Sequence, residues 1–309
     1  MARLLLRIPG VAFLLIVLGI VFAVFARGFA SFPNLLNIGI QSSTLLLLAL
    51  PMTFIIMTEG LDLSMGAVLG LTGVVLASAL VRGNSLSVAF AAALGVGLAF
   101  GIANGMLVAK LGLPPFVATL GTLGIAQGLA LVATKGESVA GIGLALPRLY
   151  ASRWIGIPFS ILIAALVYAA FHFLLYHTRF GNYVFAIGGN REALVLAGVP
   201  AGFFHVSVYA LGGLMAGFAA LLLTGRMNSG HPTSAMGMEF DAIAAVIVGG
   251  TERQRGNGWL PGTVLGVLSV GVLRNGLNVM ALPSSLQVAS IGLLLIVALL
   301  IDSIRGSRL

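Results

Sequence analysis

Ten stretches of predominantly apolar residues divide the chain: 10–27, 43–58, 63–81, 86–109, 115–134, 158–177, 204–224, 238–250, 259–281 and 286–302. A helix needs about 20 such residues to cross the hydrocarbon core of a bilayer. Inside that core every backbone polar group must be satisfied within the protein, so apolar runs at this density specify helices packed side by side. The eighth stretch is too short to cross comfortably; it either extends through 234–237 or forms a half-helix. The expected fold is an all-α membrane protein, a polytopic bundle of about ten transmembrane helices, with eight or nine as the alternatives. The first stretch follows Arg3 and Arg7 and has the outline of a signal peptide. It lacks a small-residue cleavage site and is followed by further spans, so it is read as the first helix.

Composition excludes the soluble alternatives. Only 8% of the 309 residues are charged, against roughly a quarter in a water-exposed domain. So little charge cannot cover the surface, which must face membrane lipid. The 42 glycines fit helices that approach one another closely. A net charge of +8 would point a soluble chain toward nucleic acid. Here the basic residues are scattered through short connections, where they act as topology signals, and no nucleic-acid partner is expected. With both termini on the cytoplasmic side, nine basic residues fall inside, including Lys110, Arg179 and Arg191. Six fall outside: Arg27, Arg82, Lys135, Arg148, Arg153 and Arg226. The bias is that of a multi-pass protein with cytoplasmic termini, and the expected location is a bacterial inner (cytoplasmic) membrane.

No connection is long enough to hold a soluble domain, so residues 1–309 read as one transmembrane domain. The stretch 135–157, outside, carries Pro147, Arg148 and Trp154 and suits an interfacial segment. The stretch 178–203, inside, is the most informative. Asn190 caps a short helix, Glu192 sits in its electropositive first turn, and Gly198 with Pro200 stops it. Such a helix, about eight residues long, is too short to be stable alone. It survives by docking, either on a partner protein or on its own bundle.

The loop, with Phe180-Gly181, Ile187-Gly188-Gly189-Asn190, Glu192-Ala193 and Gly198, resembles the cytoplasmic coupling loop of ribose-type ABC importer permeases. Further blocks resemble the same family: 59–66 (EGLDLSMG), 113–122 (LPPFVATLGT), 241–251 (DAIAAVIVGGT) and 273–278 (LRNGLN). Two departures stand out. Glu59 occupies a position where the family has glycine, and 251–258 (TERQRGNG) replaces a loop usually rich in Ser and Gly. The resemblance implies a single permease domain whose coupling loop lies within 178–203, with Gly188, Gly189, Asn190, Glu192, Ala193 and Gly198 at the ATPase contact. It implies translocation of a monosaccharide or similar small polar solute by alternating access. The implied partners are an ABC ATPase subunit, a second permease copy or paralogue forming a dimer, and an extracytoplasmic solute-binding protein.

Polar residues inside spans are the candidates for a solute path. Arg274 and Asn278 are four apart and share a helix face, with Asn275 flanking it. Lining a path and bonding helix to helix are both open for them, as they are for Asn104. The acidic pair Glu59 and Asp62 is read as capping the mouth of a span while staying wet. The four histidines lack metal-ligand spacing, and no metal site is expected. The only lysines, Lys110 and Lys135, follow no glycine-rich phosphate loop. No cofactor, ATPase site or catalytic residue is therefore expected on this chain, and ATP belongs to a partner subunit. An ion-gradient-driven secondary transporter is the alternative, weakened by how few acids lie within spans. An intramembrane enzyme lacks any clustered catalytic set.

Overall fold

The computed structural model describes residues 10–251 and 256–306. Among them are twelve α-helices: α1 Gly10–Phe25, α2 Phe32–Met57, α3 Met65–Val81, α4 Leu86–Gly105, α5 Pro115–Thr134, α6 Ala145–Ala151, α7 Phe159–Tyr176, α8 Arg179–Leu196, α9 Ala201–Met227, α10 Met238–Val248, α11 Leu260–Val279 and α12 Ser284–Gly306. A π-helical turn, Met106–Lys110, prolongs α4. Each of the ten apolar stretches overlaps one of these helices, with α2, α9 and α12 running beyond theirs. Six are long and apolar enough to cross a membrane: α2, α4 with its π turn, α5, α7, α9 and α11. The helical, polytopic reading holds at that level. Helices α1 and α3 and the stretch Ser284–Leu294 of α12 are shorter apolar helices; α10 has only 11 residues, and α6 and α8 lie in the connections.

Helix α2 is the axis of the bundle. It is buried almost continuously from Ser42 to Met57, and α7, α9, α10 and α11 all pack on it. Helices in lipid gain nothing from hiding apolar surface among themselves, so association depends on close packing. Helices α4 and α9 meet along a glycine seam: a Cβ on Gly97 or Gly101 would run into the backbone of Gly213 or Tyr209, and one on Gly213 into the backbone of Gly97. Spaced four apart, Gly97, Gly101 and Gly105 form one stripe that lets the two backbones touch.

One end of the bundle is fixed by α8. Gly188 sits against the Met57 carbonyl at the end of α2 and against Gly256, and Arg191 Nη2 donates to the Ala109 carbonyl at 3.4 Å. Tyr176 Oη accepts from Leu260 N at 3.1 Å, tying the end of α7 to the start of α11. At the opposite end lie α6 and a two-stranded hairpin, β1 Arg153–Trp154 with β2 Ile157–Pro158. Ile155 and Gly156, both at positive φ, make its turn. Trp154 is 67% exposed, the position of an interfacial aromatic.

Two crossings are broken. Chain 58–64 turns back from the end of α2 into the bundle before α3 begins at Met65. Chain 228–237 runs from the end of α9 beside α3: Val139 pairs with Gly230, and a Cβ on Gly70 would lie 2.9 Å from the Pro232 carbonyl. Half-helix α10 then continues toward the α8 end, where Gly249 abuts Gly262. Of the two sequence readings of 238–250, the half-helix is the one adopted. Glu59, in the glycine-favoured position, has φ +63°. A left-handed conformation costs a non-glycine residue roughly 1–2 kcal/mol, partly offset in a substitution by glycine's extra freedom when unfolded. Glu59→Gly is expected to raise the thermal midpoint in detergent by about 2 °C, and Glu59→Val to lower it.

Candidate functional site

The segment 178–203 is more helical than its sequence suggests. In place of an eight-residue helix there is an 18-residue one, Arg179–Leu196, interrupted at Asn190 with φ −158° and ψ 91°. Thr178 caps its first half and Asn190 its second, where Asn190 Oδ1 accepts from Ala193 N at 2.9 Å. Gly198, at φ +79°, ends it. The Gly198 and Val199 amides donate back to the Val195 and Leu194 carbonyls at 2.9 and 3.3 Å, a glycine-terminated helix end.

The two halves differ in what they touch. The first half buries Gly181, Val184, Ile187 and Gly188 and rests on the ends of α2 and α7. Gly188 therefore anchors the element. The second half presents Gly189, Asn190, Glu192, Ala193 and Gly198 to the surface, together with Val195 (55% exposed) and Leu196 (87%). Leu111, in the α4–α5 connection at the same end, is 69% exposed. These three apolar residues were not singled out in the sequence; their signal was apolar side chains in a segment too short to span. Of the 251–258 departure, 252–255 lie outside the described residues.

The broken crossings meet in a buried polar cluster. Asp62 Oδ1 accepts from Ser64 N at 2.9 Å and Ser64 Oγ at 2.6 Å. Asn104 Nδ2 donates to Ser64 Oγ at 2.8 Å and, at 3.4 Å, to both Asp62 oxygens. Thr122 Oγ1 donates to Asn104 Oδ1 at 2.7 Å, and Thr119 Oγ1 to the Leu61 carbonyl at 3.3 Å. Asp62 is only 1% exposed, so the expectation that it stays wet is overturned. Because α3 starts well inside the bundle, the turn that carries Asp62 is carried inside with it. Thr122 lies seven residues into α5, roughly 10 Å deep at 1.5 Å per residue. Thr119 and Thr122, three apart in an otherwise apolar span, were the legible but unused signal for this cluster.

On the α10 side of the junction, Glu239 accepts from Gly237 N at 3.1 Å with both oxygens. Its carboxylate lies so close to Gly66, in the first turn of α3, that a Cβ there would collide with it. A carboxylate at two helix N-termini is held by their unpaired amides and dipoles. Asp241, two residues further, forms an ion pair with Arg274 Nη2 at 2.7 Å. The Arg274 side chain is 39% exposed and that of Asp241 5%. A guanidinium at this depth avoids hydrocarbon, so its open side requires water or a polar partner.

The candidate path residues thus separate. Asn275, 3% exposed, exchanges amide hydrogen bonds of 2.8 and 3.1 Å with Asn34 of α2. Asn104 is spent on Asp62, Ser64 and Thr122. Both hold helices together. Arg274 keeps an open side, and Asn278 is exposed one turn on.

Residues 34–299 match the family described as the branched-chain amino acid transport system / permease component. The ribose import permease protein of Escherichia coli (strain K12) is 37% identical over 94% of this chain and 91% of its own length. That of Bacillus subtilis (strain 168) is 36% identical over 93% and 90%. The D-allose transport system permease protein of Escherichia coli (strain K12) is 34% identical over 93% and 89%. No solved structure matches. With a family match across most of the chain and relatives aligned nearly end to end, the chain belongs to this family of multi-pass transport permease components, as a ribose-type ABC importer permease.

Proposed function

We propose that the chain is the membrane-spanning subunit of an ATP-driven importer that moves a monosaccharide into the cytoplasm by alternating access. The relatives are named for ribose and D-allose, which favours a sugar over the amino acids of the family's description. The carrying observation is the Asn190-broken helix: its first half is anchored on α2 through Gly188, and its second half presents Val195 and Leu196. An ATPase subunit gripping the second half would move the end of α2, and with it the turn 58–64 and the junction of the broken crossings. The α8 end is then cytoplasmic, as are both termini, and residues 1–309 act as one permease domain with its coupling element in 178–203. Arg274, open beside Asp241, is the residue best placed to meet solute. A second permease, identical or paralogous, completes the path, and an extracytoplasmic binding protein delivers the solute.

Reconstitution tests this reading. Vesicles containing the chain with its ATPase and binding protein are expected to accumulate labelled sugar only when ATP is inside the compartment facing the ATPase. The purified chain alone is expected to hydrolyse no ATP above background. Uptake driven by an ion gradient without the ATPase would overturn the proposal in favour of a secondary transporter.

A further inference from the structure

Helices α7 and α11 both pack on α2 but scarcely on each other. Between them they leave an open groove of about 500 Å³, floored by Gly39, Ser43 and Leu46 and walled by Ala165, Tyr168 and Leu268. We propose that this groove holds an acyl chain of an anionic phospholipid from the leaflet on the α8 side, with the lipid phosphate at His177 and Arg179.

Three observations carry it. First, the surface offered to an occupant is hydrocarbon. Ser43 Oγ is spent on the Gly39 carbonyl at 2.8 Å, and Ser42 Oγ faces the α11 backbone at Gly271, where a Cβ would collide with it. Such a wall gives nothing to a sugar, whose hydroxyls would lose their hydrogen bonds. Second, the groove runs from Pro261, in the first turn of α11 at the α8 end, to Gly39 and Ile161, near the opposite ends of α2 and α7. It therefore extends from the membrane surface to hydrocarbon depth, the course of one lipid tail. Third, a run of rings leads from the groove to the α8 end. Tyr168, which lines the groove, neighbours His172, with ring centroids 5.8 Å apart; His172 neighbours Tyr176 at 4.7 Å and His177 at 5.7 Å. Arg179 and His177 are exposed where this run ends, and among the described residues neither is in an ion pair. Basic and aromatic groups at that level complement an anionic headgroup.

The inference rests on the membrane-spanning fold and not on the transport reading, so either can fail without the other. The wild-type protein, purified in mild detergent and measured by native mass spectrometry, is expected to retain phosphatidylglycerol over phosphatidylcholine by about fivefold. Ala165→Trp, which fills the groove from its open side, is expected to cut retained lipid at least severalfold. Arg179→Gln with His177→Gln is expected to abolish the headgroup preference while leaving a tail in the groove. Because the chain has no cysteine, Ala165→Cys gives a single labelling site if the Trp variant does not accumulate. A bimane there is expected to be quenched by brominated phosphatidylglycerol in nanodiscs more than by the brominated phosphatidylcholine. Unchanged lipid retention in Ala165→Trp, or no quenching at residue 165, would overturn the proposal. So would a disulfide-linked dimer of Ala165→Cys, which would show that a second copy of the chain covers the groove.

Discussion

Replacing Val195 and Leu196 together with Asp is expected to abolish ATP-driven uptake while leaving the protein inserted at normal abundance. Both side chains are more than half exposed on the short helix after Asn190, and neither contributes to the anchored half. Their truncation therefore costs the fold little. In a docked complex they would be desolvated against the ATPase, and two carboxylates there would be buried without partners. Central apolar anchors of an interface are worth about 2 kcal/mol or more each, and buried unpaired charges add to that loss. Retention of the ATPase on co-purification should fall by on the order of 1,000-fold. Gly188→Leu provides the contrasting outcome. Its side chain would meet the Met57 carbonyl and Gly256, so abundance should fall along with uptake. Normal ATPase retention by the Val195/Leu196 variant would remove this helix from the coupling mechanism.

That contrast marks where sequence reading reached and where it stopped. Caps and stops are local, and they were legible: Asn190 caps and Gly198 terminates through contacts within a few residues. Gly188 and Gly189 look alike in sequence, yet one touches α2 and the other meets open space. That difference is set by a partner more than a hundred residues away. The same limit explains Asp62. Its role as an acceptor for Ser64 is local and visible, whereas its burial depends on α3 starting inside the bundle. Asn275 was ambiguous because its partner, Asn34, lies in another helix. The stretches 66–70 (GAVLG) and 262–266 (GTVLG) are alike in sequence, and their surroundings are visible only in three dimensions. Gly66 and Gly70 face Glu239 and Pro232, while Gly262 and Gly266 face Gly249 and Ala245. Two glycine pairs flank the same broken crossing from its two ends.

Asp241→Asn is expected to lower both abundance and uptake, the latter by at least about tenfold. The substitution leaves Arg274 with no counter-charge at a depth where an arginine costs roughly 2.5–3.5 kcal/mol even on lenient insertion scales. Removing one partner of a buried pair is more damaging than removing both. Asp241→Asn combined with Arg274→Gln should therefore recover abundance, since the replacements keep hydrogen-bonding capacity without net charge. What happens to uptake in that double variant decides the role of the pair. If Arg274 meets solute through its 39% open side, uptake stays low although the protein is present and retains its ATPase. If the pair only ties α10 to α11, uptake returns with abundance. Asn275→Leu serves as the reference for a helix-bonding residue. It removes one partner of the half-buried Asn34, which keeps its bond to the Phe29 carbonyl, and its loss of uptake should follow its loss of abundance in proportion. A double variant that behaved as Asn275→Leu does, with uptake tracking abundance throughout, would take Arg274 out of the path and leave the broken crossings as a purely structural junction.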